Sequence, residues 1–243
     1  SELAPNGITR AVMAQFVSWE GGIRSPDFAE HVFDCVCRVR PTVPIDLRLQ
    51  LRLETHLLDE FDRVGAAIDR FGIRYVVFND HLQHQRLSEG RKPPRLVGQA
   101  LKAGRSPDTH EAMLRALHAN GPKVMDALAQ VARDFTVLGI RMGSHDDHTA
   151  ADRAKFRALG ADICEFPETL AAAQAAKATG EPVIMGAPNV VRGGSHSGKV
   201  AAGDLIAAGL VDALVSDYHY PSLARAGTGL SDRYGWPKAW DLE

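Results

Sequence analysis

Residues 182–199 read PVIMGAPNVVRGGSHSGK, and their succession of strand, loop and helix start is the pattern that decides how this chain folds. The apolar residues 182–185 predict a buried strand, and a helix-like run starts at Val200. The predicted loop between them, residues 186–199, has four glycines, two serines, an arginine, a histidine and a lysine but no acidic residue. Such a loop can bring backbone N–H groups and cations to an anionic ligand. The plainer interpretation is a flexible connector.

The same strand–loop–helix pattern recurs along the chain. Strand-like runs cover residues 8–15, 45–54, 72–78, 139–144, 162–166, 182–186 and 211–216. Strands that alternate with helices favour a parallel sheet with crossover helices. A doubly wound open sheet would place a glycine-rich phosphate loop after the first strand, and residues 15–22, QFVSWEGG, lack that form. Because an eight-unit barrel takes about 250 residues, we predict an α/β fold of the (β/α)8 TIM type, a single partial barrel domain over residues 1–243.

Two further stretches carry structural expectations. Residues 45–54 alternate strictly between leucines and polar side chains. This alternation is typical of a half-exposed antiparallel strand, or of a barrel strand whose polar side faces an active site. Residues 84–108 are rich in Arg, Lys, Gly and Pro, and we expect a long irregular loop there, of the kind that covers or binds ligands.

Composition excludes several classes of protein. The 45% hydrophobic and 24% charged content is that of a soluble globular protein with a sizeable core. A net charge of −2 without a lysine-rich run argues against a nucleic-acid partner. Three cysteines without a Cys-x-x-Cys spacing argue against a disulfide scaffold, and no apolar run reaches the roughly 18 residues of a membrane span. We expect a cytoplasmic protein that binds neither nucleic acid nor membrane.

Histidines and carboxylates recur where the predicted strands end. The segments are Glu54-Thr55-His56, Asn79-Asp80-His81, Ser144-His145-Asp146-Asp147-His148 and Asp217-Tyr218-His219. Parallel α/β enzymes build their sites at that end of the strands, and His with carboxylate binds zinc or a similar divalent ion. Each residue alone is more simply a cap or a surface group, and Asp146-Asp147 could cap a helix that starts near Thr149. The recurrence of the set favours a metal site.

With these residues in view, the chain resembles the amidohydrolase superfamily and, within it, the PhnM group of the carbon–phosphorus lyase pathway. The motifs that carry the resemblance are GSHDD at 143–147, GAPNVVRGGSHSG at 186–198, SDY at 216–218, Leu53-Glu54, Asp80-His81 and SWEGG at 18–22. The resemblance implies a metal-dependent hydrolase with an amidohydrolase-type barrel. Members of that group hydrolyse α-D-ribose 1-methylphosphonate 5-triphosphate, a small phosphorylated molecule, to the 5-phosphate and diphosphate.

The resemblance also implies a role for individual residues. The implied metal ligands are Glu54, His81, His145 and Asp217. Asp217 would also take a proton from the attacking water, with Asp146 and Asp147 as further carboxylates of the catalytic site. The implied substrate-binding residues are Asn189, Arg192, Ser195, His196 and Lys199. One or two divalent ions are expected, with zinc first and manganese, iron or nickel as alternatives.

The sequence also departs from that family. No His-x-His or His-x-Asp pair precedes Ile8, the flanking β-sandwich is missing, and Leu82-Gln83-His84 stands where Thr-Pro-Gly is usual. We therefore expect a chain truncated at both ends, without the first barrel strand. Strand edges exposed beside that gap would favour a homo-oligomer. Two other functions stay open: hydrolysis of a C–N bond in an amide, lactam or base, and a catalytically incomplete barrel that only binds phosphorylated ligands.

Overall fold

Seven strands follow one another in chain order in one sheet. The computed structural model describes residues 2–195 and 198–234. The strands are β1 (Arg10–Val17), β2 (Asp46–Glu54), β3 (Tyr75–Asn79), β4 (Arg141–His145), β5 (Ile163–Glu165), β6 (Val183–Gly186) and β7 (Ala213–Val215). The pairs β2–β3, β4–β5, β5–β6 and β6–β7 are parallel, as the alternation of strands and helices predicts.

The amidohydrolase-type (β/α)8 barrel, predicted from the sequence with its first strand missing, is wrong for this chain. Among the described residues the strand order is linear from β1 to β7, so β1 and β7 are the end strands of the sheet. All seven described strands belong to this sheet. Closure into a (β/α)8 barrel requires an eighth paired strand. What holds is an α/β fold with a parallel seven-stranded sheet.

Eleven α-helices connect the described strands. They are α1 (Pro26–Val39), α2 (Phe61–Phe71), α3 (His84–Ser88), α4 (Leu96–Lys102), α5 (Pro107–Ala119), α6 (Gly121–Val137), α7 (Ala150–Ala158), α8 (Leu170–Lys177), α9 (Ala187–Arg192), α10 (Ala202–Ala207) and α11 (Ser222–Tyr234). Residues 84–108 therefore hold two short helices where an irregular loop was expected. The predicted loop 186–199 likewise begins as α9. No helix among the described residues is long and apolar enough to cross a membrane.

The chain divides into two compact units. The middle unit is Val12–Met142, and the terminal unit combines Ser1–Ala11 with Gly143–Glu243. The earlier assignment of one domain to residues 1–243 stays a prediction.

In the middle unit, β2 is covered on both sides over its second half. Leu51 and Leu53 are fully buried; on the opposite side Glu54 is fully buried, Gln50 is 4% exposed and Arg52 is half-buried. Because β2 pairs in parallel with β3, the half-exposed antiparallel interpretation is wrong. Helices α1 and α2 supply apolar partners, with the rings of Phe33 and Phe71 5.7 Å apart. This burial fixes the end of β2, where Glu54 stands.

In the terminal unit, helix starts are set by side-chain caps. The side chain of Thr149 accepts a hydrogen bond from the backbone N–H of Asp152, and the Asp152 carboxylate accepts one from the backbone N–H of Thr149, so α7 begins with a capping box. Asp146 and Asp147 therefore do not cap α7. Thr169 caps α8 in the same way through the backbone N–H of Ala172. An apolar cluster that includes Met185, Leu205, Ile206 and Leu230 forms this unit's core.

Candidate functional site

Glu54 and His81, two of the predicted metal ligands, meet in the middle unit. The parallel register places Glu54 opposite Asn79, two residues before His81. The Glu54 carboxylate is fully buried; its Oε1 bonds to Nδ1 of His81. Its Oε2 accepts hydrogen bonds from Trp19 Nε1 at 3.1 Å and from the backbone N–H of His81 at 3.3 Å. Both carboxylate oxygens are thus engaged.

Burial raises the pKa of Glu54, and this effect exceeds the lowering by the hydrogen bond and charge of His81. A nearby cation favours the ionised form of such a buried carboxyl group. One carboxylate oxygen and one imidazole nitrogen are ligands that zinc and related ions accept. Glu54 and His81 therefore fit two positions of an implied metal site by donor chemistry.

A second group in the middle unit, His56, Asp80 and His84, has the spacing of metal ligands. One ligand atom from each of the three lies within 4.8 Å of the others. Nε2 of His84 is 3.0 Å from both oxygens of Asp80, and Nδ1 of His56 is 3.6 Å from Asp80 Oδ1. Across the part of the chain that the structure describes, no other set of three His, Cys, Asp or Glu side chains meets this spacing.

None of these three residues was among the predicted ligands. His56 and Asp80 were recognised as strand-end residues, and His84 was noted only as a departure from the family pattern. The signal in the sequence is the proximity of Asp80 and His84, which lie four residues apart just after a predicted strand. Burial raises the pKa of Asp80, but the hydrogen bond from His84 and the charges of His84 and His56 outweigh it, so the net pKa is lowered. Asp80 is a carboxylate at neutral pH.

In the terminal unit, His145 and Asp146 lie among other charged side chains. His145 Nδ1 is 3.3 Å from Glu165 Oε2, and its Nε2 is 3.7 Å from Asp146 Oδ1. Lys199 forms ion pairs with Asp146, at 3.3 Å, and with Glu168. The structure thus brings together three predicted site residues, His145, Asp146 and Lys199, although Lys199 meets carboxylates here.

The strand ends of this unit adopt an unusual backbone. Asp146, Phe166 and Asp217 have φ values of 63°, 53° and 51°, in the left-handed region that non-glycine residues seldom occupy. Each follows a strand directly or one residue later. Such conformations cost about 1–3 kcal/mol each and cluster at functional sites.

Asp147, a predicted catalytic carboxylate, lies in a buried network. Its Oδ2 accepts a hydrogen bond from Ser144 at 2.5 Å and pairs with Arg153 Nη1 at 3.1 Å. Burial raises the pKa of Asp147 more than Ser144 and Arg153 lower it. The side chains of Asp147 and Arg153 are both fully buried. This placement makes Asp147 the ion-pair partner of Arg153, and its catalytic role stays a prediction.

The predicted substrate-binding residues are dispersed among different contacts. Asn189 Oδ1 accepts a hydrogen bond from the backbone N–H of Ala202 at 3.0 Å, at the start of α10. Arg192 donates to the hydroxyl of Tyr218, next to Asp217. Asp217 is exposed. Ser195 is the last described residue before the gap at 196–197, so His196 lies outside the described residues.

The chain matches known proteins only in part. No protein-family model matches it. It is 49% identical over 107 residues to the alpha-D-ribose 1-methylphosphonate 5-triphosphate diphosphatase of Escherichia coli (strain K12), a match that covers 42% of this chain and 28% of that protein. A match to the solved structure of an oxidised active mutant of (S)-mandelate dehydrogenase covers 96% of this chain and 71% of that protein's chain, at 16% identity and a TM-score of 0.40. The chain is therefore similar to an enzyme over less than half of its own length, and the match to the Escherichia coli diphosphatase spans about a quarter of that enzyme.

Proposed function

We propose that this protein is a metal-dependent hydrolase of phosphonate metabolism that acts on α-D-ribose 1-methylphosphonate 5-triphosphate. The observation that carries the proposal is the 49% identity over 107 residues to the Escherichia coli diphosphatase of that name. The reaction adds water across a P–O–P bond. The bond between the α- and β-phosphates breaks, diphosphate leaves, and the ribose keeps one phosphate at its 5-position.

The side chains of the middle unit support a metal-dependent reaction. Glu54 and His81 would hold a divalent ion, since they offer a buried carboxylate and an imidazole at neighbouring strand ends. When bound, such an ion stabilises negative charge on phosphate oxygens and lowers the pKa of a water ligand to about 7. Zinc is the first candidate; manganese, iron and nickel accept the same ligands.

The terminal unit supplies side chains for the remaining tasks. Burial lowers the pKa of Lys199, but Glu168 and Asp146 raise it by more, so Lys199 is a cation at neutral pH. Lys199 and Arg192 are proposed to bind the phosphate oxygens, with Asn189, Ser195 and His196 beside them. Asp217 is proposed to accept the proton of the attacking water, and His145 is proposed as a metal ligand. The exposed carboxylate of Asp217 is open to solvent.

The direct test measures diphosphate release from ribose 1-methylphosphonate 5-triphosphate by the metal-reconstituted protein. We expect turnover in the wild type and a roughly 10- to 100-fold lower kcat/KM in Arg192→Ala, the loss of one charge-assisted contact to phosphate. Arg133→Ala, which removes an exposed arginine from α6, is the matched control and should leave kcat/KM unchanged. No diphosphate release with any of the four metals would refute the proposal. Cleavage of a C–N bond in an amide panel would replace it.

A further inference from the structure

We propose that His56, Asp80 and His84 form a separate binding site for a divalent transition-metal ion, with His118 as the residue that positions His84. The site uses none of the ligands of the proposed hydrolase. It is therefore a second metal site, which the proposed function does not require.

The distances suit a metal of zinc size. Ligand atoms about 2.0–2.1 Å from a tetrahedral ion lie roughly 3.3 Å from one another. The measured separations of 3.0 Å between His84 Nε2 and Asp80 and 3.6 Å between His56 Nδ1 and Asp80 Oδ1 lie on either side of that value. An ion would therefore draw together ligand atoms that already lie within 4.8 Å of one another.

The ligand set identifies the class of ion. Two imidazoles and one carboxylate occur in three-ligand zinc sites and in iron(II) sites, where further positions stay open to water. The burial fits this arrangement because His56 is 4% exposed while the side chain of His84 is 40% exposed. The group is closed on the side of β2 and open on the side of α3, so an ion has a route in.

His118 of α5 fixes the chemistry of His84. Nδ1 of His84 lies 2.9 Å from Nδ1 of His118, so one of the two nitrogens carries the shared proton. When His84 Nδ1 is the donor, Nε2 of His84 carries a lone pair directed at Asp80. The Asp80 carboxylate repels this lone pair, and a cation between the two groups removes the repulsion. Metal-binding histidines commonly donate their second ring N–H to such a partner.

The carboxylate is also held in place. Asp80 Oδ1 accepts a hydrogen bond from the backbone N–H of Leu82 at 3.3 Å, and Thr55 Oγ1 lies 3.1 Å from Nδ1 of His56. The imidazole rings of His56 and His84 are 4.8 Å apart. A bound ion would thus link the segments that follow β2 and β3 to α3 and, through His118, to α5.

The test is zinc binding to the purified, metal-free protein, followed by calorimetry and by the ring ¹⁵N NMR signals of the histidines. We expect saturable binding, perturbed ring signals of His56 and His84, and a rise in melting temperature of roughly 5 °C at a hundredfold excess of zinc over Kd. His84→Ala should raise Kd by more than about 100-fold. His118→Ala should raise it roughly 10- to 100-fold, and His118→Gln, which can still accept a hydrogen bond, should recover part of that loss.

His148→Ala is the matched control, because His148 is an exposed histidine of the terminal unit that pairs with Glu168. It should bind zinc as the wild type does. Both His84 and His118 are partly exposed, so these variants are expected to fold, and circular dichroism checks this. A His56 ring signal that responds to zinc with an unchanged Kd in His84→Ala, or zinc that perturbs only histidines other than His56 and His84, would overturn the proposal. So would the absence of zinc binding to the wild type.

Discussion

At the scale of single residues, Arg153 is a buried charged side chain of the terminal unit with two carboxylate partners. Its side chain is fully buried and forms ion pairs with Asp147 at 3.1 Å and Glu181 at 2.9 Å. It also donates to the carbonyl of Ile163 at 3.3 Å. Breaking such a pair leaves buried carboxylates without a counter-charge.

Arg153→Met should therefore lower the free energy of unfolding by about 3–5 kcal/mol. Arg157→Met is the matched control, because Arg157 pairs with the same Glu181 while a third of its side chain is exposed. It should cost about 1 kcal/mol or less. Urea denaturation followed by circular dichroism measures both variants, and equal losses would contradict this account of the burial.

At this scale the sequence predicted which residues belong to candidate sites better than it predicted which side chains they contact. The strand-end pattern selected Glu54 and His81, which do meet, and Asp146 with Lys199, which also meet. It selected Asp147 for chemistry, yet Arg153 and Ser144 occupy one of its oxygens. It passed over His84, because the partner of His84 is set by where α5 brings His118. A local pattern carries no information about an arginine or histidine that arrives from another element.

At the scale of elements, two glycines determine the turn that follows β1. Gly21 and Gly22 have φ values of 73° and 56°, which favour glycine. A Cβ on Gly22 would lie 2.6 Å from the backbone carbonyl oxygen of Lys102, at the end of α4. Arg105 donates to the carbonyl of Trp19 at 2.7 Å and holds the same turn. The turn is thus shaped for contact with the α4 end.

Gly22→Ala should destabilise the protein by about 2 kcal/mol or more, since the backbone conformation and the contact with Lys102 both oppose a side chain. Gly65→Ala, in α2 with open space around its Cβ, should instead stabilise it by roughly 0.5–1 kcal/mol through helix propensity. Midpoints of urea unfolding compare the two. A neutral Gly22→Ala would show that the α4 end moves freely.

Element boundaries were predicted well where periodicity was strong. Helix α1 begins after a Ser25 cap that is followed by Pro26, and Asn120 separates α5 from α6, which starts at Gly121-Pro122; both are boundary signals that the sequence carries. The short helices α3, α4 and α9 were missed. They have five to seven residues, too few to show a helical period, and they form because neighbouring elements cover one side of them.

At the scale of the whole molecule, the free energy of unfolding should depend on pH through His110. This histidine is fully buried, next to Trp19 and 3.5 Å from Arg105 Nη1. Burial lowers its pKa below 6.5, and the charge of Arg105 lowers it further. As pH falls through about 6.5, the unfolded chain takes up a proton that the folded chain refuses. The protein should therefore lose stability as the solution becomes more acidic.

This loss is measured by urea unfolding at pH values from about 7.5 to about 5.5, which span the ordinary histidine pKa. In His110→Leu the dependence should be weaker by up to about 1.4 kcal/mol per pH unit. The comparison uses slopes, so a change in overall stability from the substitution does not affect it. An identical slope in wild type and variant would contradict the assignment.

The sequence by itself determined the order of strands and helices, the parallel sheet and the recurrence of histidine and carboxylate at the strand ends. These follow from local periodicity, which a chain carries residue by residue. Tertiary structure alone decided that β1 and β7 are the end strands of the described sheet, that Gln50 and Glu54 on the polar side of β2 are buried, that Asp147 pairs with Arg153, and that His56, Asp80 and His84 meet. The physical reason is that pairing and burial depend on elements far apart in the chain, whose approach is set by packing of the whole unit.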